Sequence, residues 1–181
     1  MGMVSGAFFL YSLQYFEKMP TEFECKTTAT SPWEACDIKT ACSDTTYEFR
    51  PNKEEEGYLD NWVEQINLYC IDSFQAGLIG SSFFVGTFSG SFVLPRASDI
   101  YGRKPLTLIG LVIFFAVVAA SYFVKNLYLL YFIIFMGGIS ETGRYYVAYV
   151  YAVEMMPQKS QNNTGLWIFN VFGVAMVYIA L

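Results

Sequence analysis

Histidine is missing altogether from these 181 residues, and charge of either sign is scarce. Without histidine the chain lacks the side chain that most often serves as a general base near neutral pH. It carries no nucleophile–base constellation and no phosphate-cradling loop. No enzyme activity and no cofactor are expected. The four cysteines never form a C-x-x-C pair, so with no histidine a zinc site, or any other metal site, is not expected either. Eleven Lys and Arg against sixteen Asp and Glu leave a net charge of −5. With no basic patch beyond one short segment, that balance argues against nucleic-acid binding. Charged residues amount to 15%, against roughly a quarter in a soluble domain. Lipid, rather than water, is the solvent this composition suits.

Apolar residues, 54% of the chain with 19% aromatics, come in long blocks. A bilayer core needs about 20 mostly apolar residues to cross as a helix. Residues 73–95 contain no charge, residues 105–124 contain none, and residues 126–153 are apolar apart from Glu141 and Arg144. A fourth run covers residues 165–181. Residues 1–16 are apolar but brief. They lack the basic n-region and small-residue cleavage site of a signal peptide, and Gly6 stands where myristoylation requires Ser or Thr. They read as a short first helix. The expected fold is an all-α membrane protein of about five transmembrane helices, with a polar segment of residues 17–72 after the first and the other four helices in residues 73–181.

That polar segment carries thirteen Asp or Glu against five Lys or Arg, including the run Glu54-Glu55-Glu56. It also holds all four cysteines: Cys25, Cys36, Cys42 and Cys70. An even number in one polar segment suggests two disulfides in an oxidising compartment, with three pairings possible; four unpaired thiols in a reducing compartment are the alternative. Orientation follows from the basic residues. Arg96, Arg103 and Lys104 lie between the second and third spans and Lys159 follows the fourth, which puts both stretches on one side if five helices alternate. The positive-inside rule assigns that side to the cytoplasm or matrix and the cysteine segment to the exterior or a lumen. The sequon Asn162-Asn163-Thr164 then faces inward and should carry no glycan.

The stretch from Pro95 to Lys104, with Asp99, Gly102, Arg103 and Lys104 at the spacing D-x-x-G-R-K, resembles the loop between helices two and three of the major facilitator superfamily. Upstream, Asn61 to Cys70 is similar to the stretch before the second helix of its organic cation and anion transporters. Ser82-Phe83-Phe84-Val85-Gly86 with Gly90 is similar to that family's second helix, and Gly138, Gly143 and Glu154-Met155-Met156-Pro157 to its fourth. A long extracellular loop with paired cysteines after helix one is a further trait of that branch. Two positions depart from the pattern: Pro95 replaces the first glycine of the loop signature, and Ile134 stands where the family usually keeps an arginine.

The resemblance implies a major-facilitator-type bundle whose helices rock against each other during alternating access. Gly86 and Gly90 form the G-x-x-x-G step that lets two helix backbones approach. Asp99, just past a helix end, is expected to accept bonds from backbone donors of a neighbouring helix. Gly102 permits a tight turn, and Arg103 is expected to pair with Glu154. Within the fourth span, Glu141 and Arg144 are three residues apart on one face and can satisfy each other. With Tyr145 they are candidates for substrate or packing contacts, since a charge in the bilayer normally faces a partner or a watery cavity. Tyr146, Tyr149 and Tyr151 read as packing aromatics.

Two functions remain open on this footing. One is transport of small organic ions as part of such a transporter, in a plasma or organelle membrane. The other is a degenerate, truncated chain serving as a structural accessory subunit of a larger membrane complex, for which the mitochondrial inner membrane is one location. Its partners would be the lipid bilayer, the missing transporter half or other membrane subunits and, for a transporter, a small organic ion.

Overall fold

The computed structural model describes residues 9, 11–26, 32–43, 48–53 and 58–180. Most of the first expected span (residues 1–8 and Leu10), the Glu54-Glu55-Glu56 run and Leu181 lie outside the described residues. The chain divides into two units, Gln14–Ala76 and Met1–Leu13 with Gly77–Leu181.

In the first unit, strand β1 (Phe23–Lys26) lies between β2 (Glu34–Cys36) and β3 (Glu48–Pro51), antiparallel to both. Burial alternates along β1, with Phe23 and Cys25 inward, as a strand's period of two requires. The rings of Phe23, Phe49 and Tyr69 meet edge to face. Cross-strand neighbours pair by charge: Glu24 with Arg50 at 2.7 Å and Lys26 with Glu48 at 2.6 Å. Lys26 and Arg50 also lie over the ring of Trp33. Disulfides join Cys25 to Cys36 and Cys42 to Cys70, which selects one of the three pairings. The sheet corrects the all-α expectation. Strands of three or four residues leave little periodic signal, and this sheet is held by a disulfide and charged ladders rather than by a long apolar face.

The described part of the first helix, α1, covers Phe9 and residues 11–16. Short helices follow at Ile38–Ser43 (α2) and Trp62–Gln65 (α3). Asn61 caps α3 by accepting from the Val63 N–H. Its amide also donates to the carbonyls of Tyr15 and Lys18, at 3.0 and 2.7 Å. Phe16 stacks on Trp62. Next to it, Oε1 of Glu17 is buried without a hydrogen-bond partner among the described residues, and burial pushes the carboxyl from 4.5 up to about 7.

Long helices begin with α4 (Ser73–Tyr101) and α5 (Arg103–Ser121), both long and apolar enough to cross a membrane. On α4, Ser81, Ser82, Thr87, Ser89 and Ser91 each donate to a carbonyl four residues back, so these hydroxyls are satisfied inside the helix. Asn126 caps α6 (Leu127–Thr142), which passes through a π-helical segment (Gly143–Val147) into α7 (Ala148–Glu154). Finally comes α8 (Gln158–Ala180).

The stretch read as a loop, Pro95 to Lys104, is helical apart from Gly102. Pro95 sits inside α4 rather than at its end, forgoing one N–H bond. The link shrinks to a single residue because Gly102 takes φ +91°, where any side chain would be strained.

Candidate functional site

Arg103 opens α5, and its guanidinium reaches two other helices. Nη2 lies 3.2 Å from Oδ1 of Asp99 in the last turn of α4, and Nε lies 2.8 Å from Oε2 of Glu154 at the end of α7. Asp99 is within the helix, so it takes the Arg103 side chain rather than backbone donors beyond a helix end. One cation thus ties three helix ends. Of the motif residues, Asp99, Arg103 and Glu154 are brought together, Gly102 makes the turn, and Lys104 is exposed.

Farther along, Arg144 is the largest fully buried side chain among the described residues, 1% exposed. Its Nη2 donates to Oε2 of Glu141. A guanidinium in so apolar a setting is costly unless compensated, and the neighbouring carboxylate compensates it within one helix. Across the interface, the Arg144 Cζ stands 3.9 Å from the centre of the Phe114 ring on α5. Phe9 packs edge-on against the same ring at 5.8 Å. Tyr145 turns away from this pair: its ring packs on Phe172 of α8 and on Tyr146.

Between α4 and α6 the backbones touch. A Cβ on Gly86 would stand 2.1 Å from the Phe135 carbonyl oxygen, and one on Gly138 would stand 2.1 Å from that of Phe83. A Cβ on Gly90 would meet the Thr142 hydroxyl at 2.9 Å. That hydroxyl donates to the Thr87 carbonyl across the crossing, at 3.2 Å. The G-x-x-x-G spacing reveals one side of this crossing. Thr142, and the contacts of Phe114 and Gly110 with the π segment, carry no local signal.

α4 and α6 thus cross backbone to backbone, and Arg103 ties the ends of α4, α5 and α7. The profile of the Major Facilitator Superfamily matches residues 46–180. The chain belongs to that superfamily. It is therefore an integral membrane chain of a transporter family, not of an enzyme family. Its relatives include the organic cation transporter-like protein of Drosophila melanogaster, 34% identical over 129 residues, which are 68% of this chain and 22% of that protein. Organic cation/carnitine transporter 2 of Homo sapiens is 28% identical over 134 residues, 66% of this chain and 24% of that protein. Sialic acid transporter NanX of Escherichia coli (strain K12) is 31% identical over 110 residues, 61% of this chain and 27% of that protein. The chain spans about a quarter of the length of these curated relatives. Nothing in these matches supports an accessory-subunit role.

Proposed function

We propose that these residues form part of a transporter that carries small organic ions across a membrane by alternating access, with the Asp99–Arg103–Glu154 cluster as the tie that closes the cytoplasmic end. The observation that carries this reading is the bridging position of Arg103 between Asp99 and Glu154. Both pairs are partly exposed, so each is worth about 1 kcal/mol or less. That is strong enough to bias one conformation and weak enough to break in every cycle. Relatives named for organic cations, carnitine and sialic acid support small organic ions as the class of solute.

In this reading the chain crosses the membrane five times, at residues 1–16, 73–95, 105–124, 126–153 and 165–181. The disulfides favour an oxidising compartment for residues 17–72, and the basic residues Arg96, Arg103 and Lys104 favour the cytoplasm for their end of α4 and α5.

The test is uptake by the full-length protein in proteoliposomes, offered small quaternary ammonium ions and small organic anions. Arg103→Glu and Glu154→Arg should each lower the rate of uptake several-fold, and the double exchange should recover part of the loss. A folded wild-type protein that takes up none of these solutes would refute the transport reading. Additive losses in the double exchange would refute the role of the pair.

A further inference from the structure

We propose that Phe114 and Arg144 are positioning residues. They pin the π segment to α5 and so hold the Arg103–Glu154 tie closed. This rests on the reading that the tie opens and closes in the transport cycle.

Two helical rods carry all four residues. Arg103, Gly110 and Phe114 lie along α5, and Arg144 and Glu154 lie along the rod of α6, the π segment and α7. On α5 the two contact points are eleven residues apart, and on the other rod ten, which is about 16 and about 15 Å of helix. The rods therefore meet at matched intervals, once through Arg144 on Phe114 and once through Arg103 on Glu154. A change at one contact is delivered to the other with little slack.

Upstream of the π segment, α6 is packed backbone to backbone against α4. Gly86 and Gly138 set its backbone against that of α4, and Thr142 bonds to the Thr87 carbonyl immediately before the π segment begins. Downstream, α7 is seven residues long and ends in Glu154. A π turn interrupts the regular ladder, and such interruptions are where helices bend and where function often gathers. The direction in which α7 leaves is thus set at residues 143–147.

Two contacts with α5 act on that direction, beside the packing of Tyr145 on Phe172 of α8. Gly110 lets α5 reach the backbone here: a Cβ on it would stand 3.1 Å from the Arg144 nitrogen and 3.2 Å from the Gly143 carbonyl carbon. The Arg144 guanidinium then lies on the Phe114 ring, which Phe9 backs from another side. Glu141 belongs to the same rod as Arg144, so the ion pair neutralises the cation without itself spanning the interface. The ring joins the pair to α5.

The experiment reads the cytoplasmic end directly. Ser98, buried on α4 beside Asp99, is replaced in the full-length protein, and the Ser98→Cys thiol is labelled with a maleimide. Cys25, Cys36, Cys42 and Cys70 are paired in disulfides and stay silent, and the parent protein without the Ser98 substitution gives the background. Phe114→Leu should raise the labelling rate roughly tenfold, the shift expected from losing one desolvated cation–π contact. Glu141→Gln with Arg144→Met should act alike, while Phe114→Tyr, which keeps the ring, should label as the parent does. In uptake assays Phe114→Leu should change Vmax and leave KM within about twofold. Unchanged labelling with a lowered melting temperature would reduce the contact to packing and overturn the proposal. A raised KM with unchanged labelling would make the pair a solute contact and overturn it equally. If the parent protein transports nothing, the transport reading fails, and the labelling rates still decide whether Phe114 and Arg144 hold the end closed.

Discussion

Gly138→Ala tests the backbone crossing of α4 and α6. The added carbon would stand 2.1 Å from the Phe83 carbonyl oxygen, 2.8 Å from the Thr87 nitrogen and 3.1 Å from the Gly86 carbonyl carbon. Carbon and carbonyl oxygen do not normally approach closer than about 3.3 Å, so α6 must withdraw by about 1 Å. The obstacle is backbone, and no change of rotamer relieves it. Overpacking of this kind costs about 1–3 kcal/mol. The same withdrawal stretches the 3.2 Å bond from Thr142 to the Thr87 carbonyl beyond useful range, a loss of roughly 0.6 kcal/mol in a membrane protein. Against this, alanine is the better helix former by about 1 kcal/mol. The net is a destabilisation of roughly 0.5–2.5 kcal/mol. Gly77→Ala is the control. It has nothing within 4 Å of its added carbon and should be neutral or stabilising. The assay is retention of the monodisperse peak on size exclusion after heating the full-length protein in detergent. If Gly138→Ala survives heating as well as the parent while Gly77→Ala behaves as stated, the backbone crossing is not a constraint and the reasoning fails.

Cys25, Cys36, Cys42 and Cys70 should resist thiol reagents until reduced, and ready labelling of the native protein would contradict the pairing. Loss of the Cys42–Cys70 bridge should destabilise the protein more than loss of Cys25–Cys36, because the loops span 28 and 11 residues. Loop-closure entropy gives about 3.6 against about 2.8 kcal/mol, and the melting temperatures of the two double serine variants measure the order. Glu17 sets a pH dependence. Its folded-state pKa of about 7 lies above the ordinary 4.5, so the folded state holds the proton more tightly. Stability from this group is complete below pH 4.5 and declines as pH rises toward 7. Glu17→Gln should therefore be more stable than the parent at pH 8, by about 1 kcal/mol after allowing for solvent screening of a half-exposed carboxyl. The two should melt together near pH 4.5, and an equal gap at both values would refute the assignment.

What the sequence discloses follows the range of each interaction. Apolar runs from Ser73 and Pro105 announce helices because twenty consecutive residues contribute to the signal. The uncharged run stops at Pro95 while α4 continues to Tyr101, because charge marks the edge of lipid rather than the end of a helix. Arg103 and Glu154 could be matched by sign and by membrane side, and the structure puts them 2.8 Å apart. The disulfide partners, the three-residue strand at Glu34 and the π turn at Gly143 depend on tertiary geometry that no local pattern encodes. Phe114 is the clearest case. In sequence it is one of 17 phenylalanines, and only the fold lays Arg144 on its ring.

The single-residue link at Gly102 has a consequence for biosynthesis. One residue spans about 4 Å, whereas the hydrocarbon core is about 30 Å thick. The C-terminal end of α4 and the N-terminal end of α5 therefore cannot be left on opposite faces of the bilayer, even briefly. In the proposed topology the two helices partition into lipid as a hairpin, with the Arg96, Arg103 and Lys104 charges retained on the cytoplasmic face. In that topology a single orientation decision serves both helices, and the turn at Gly102 is where the two are joined.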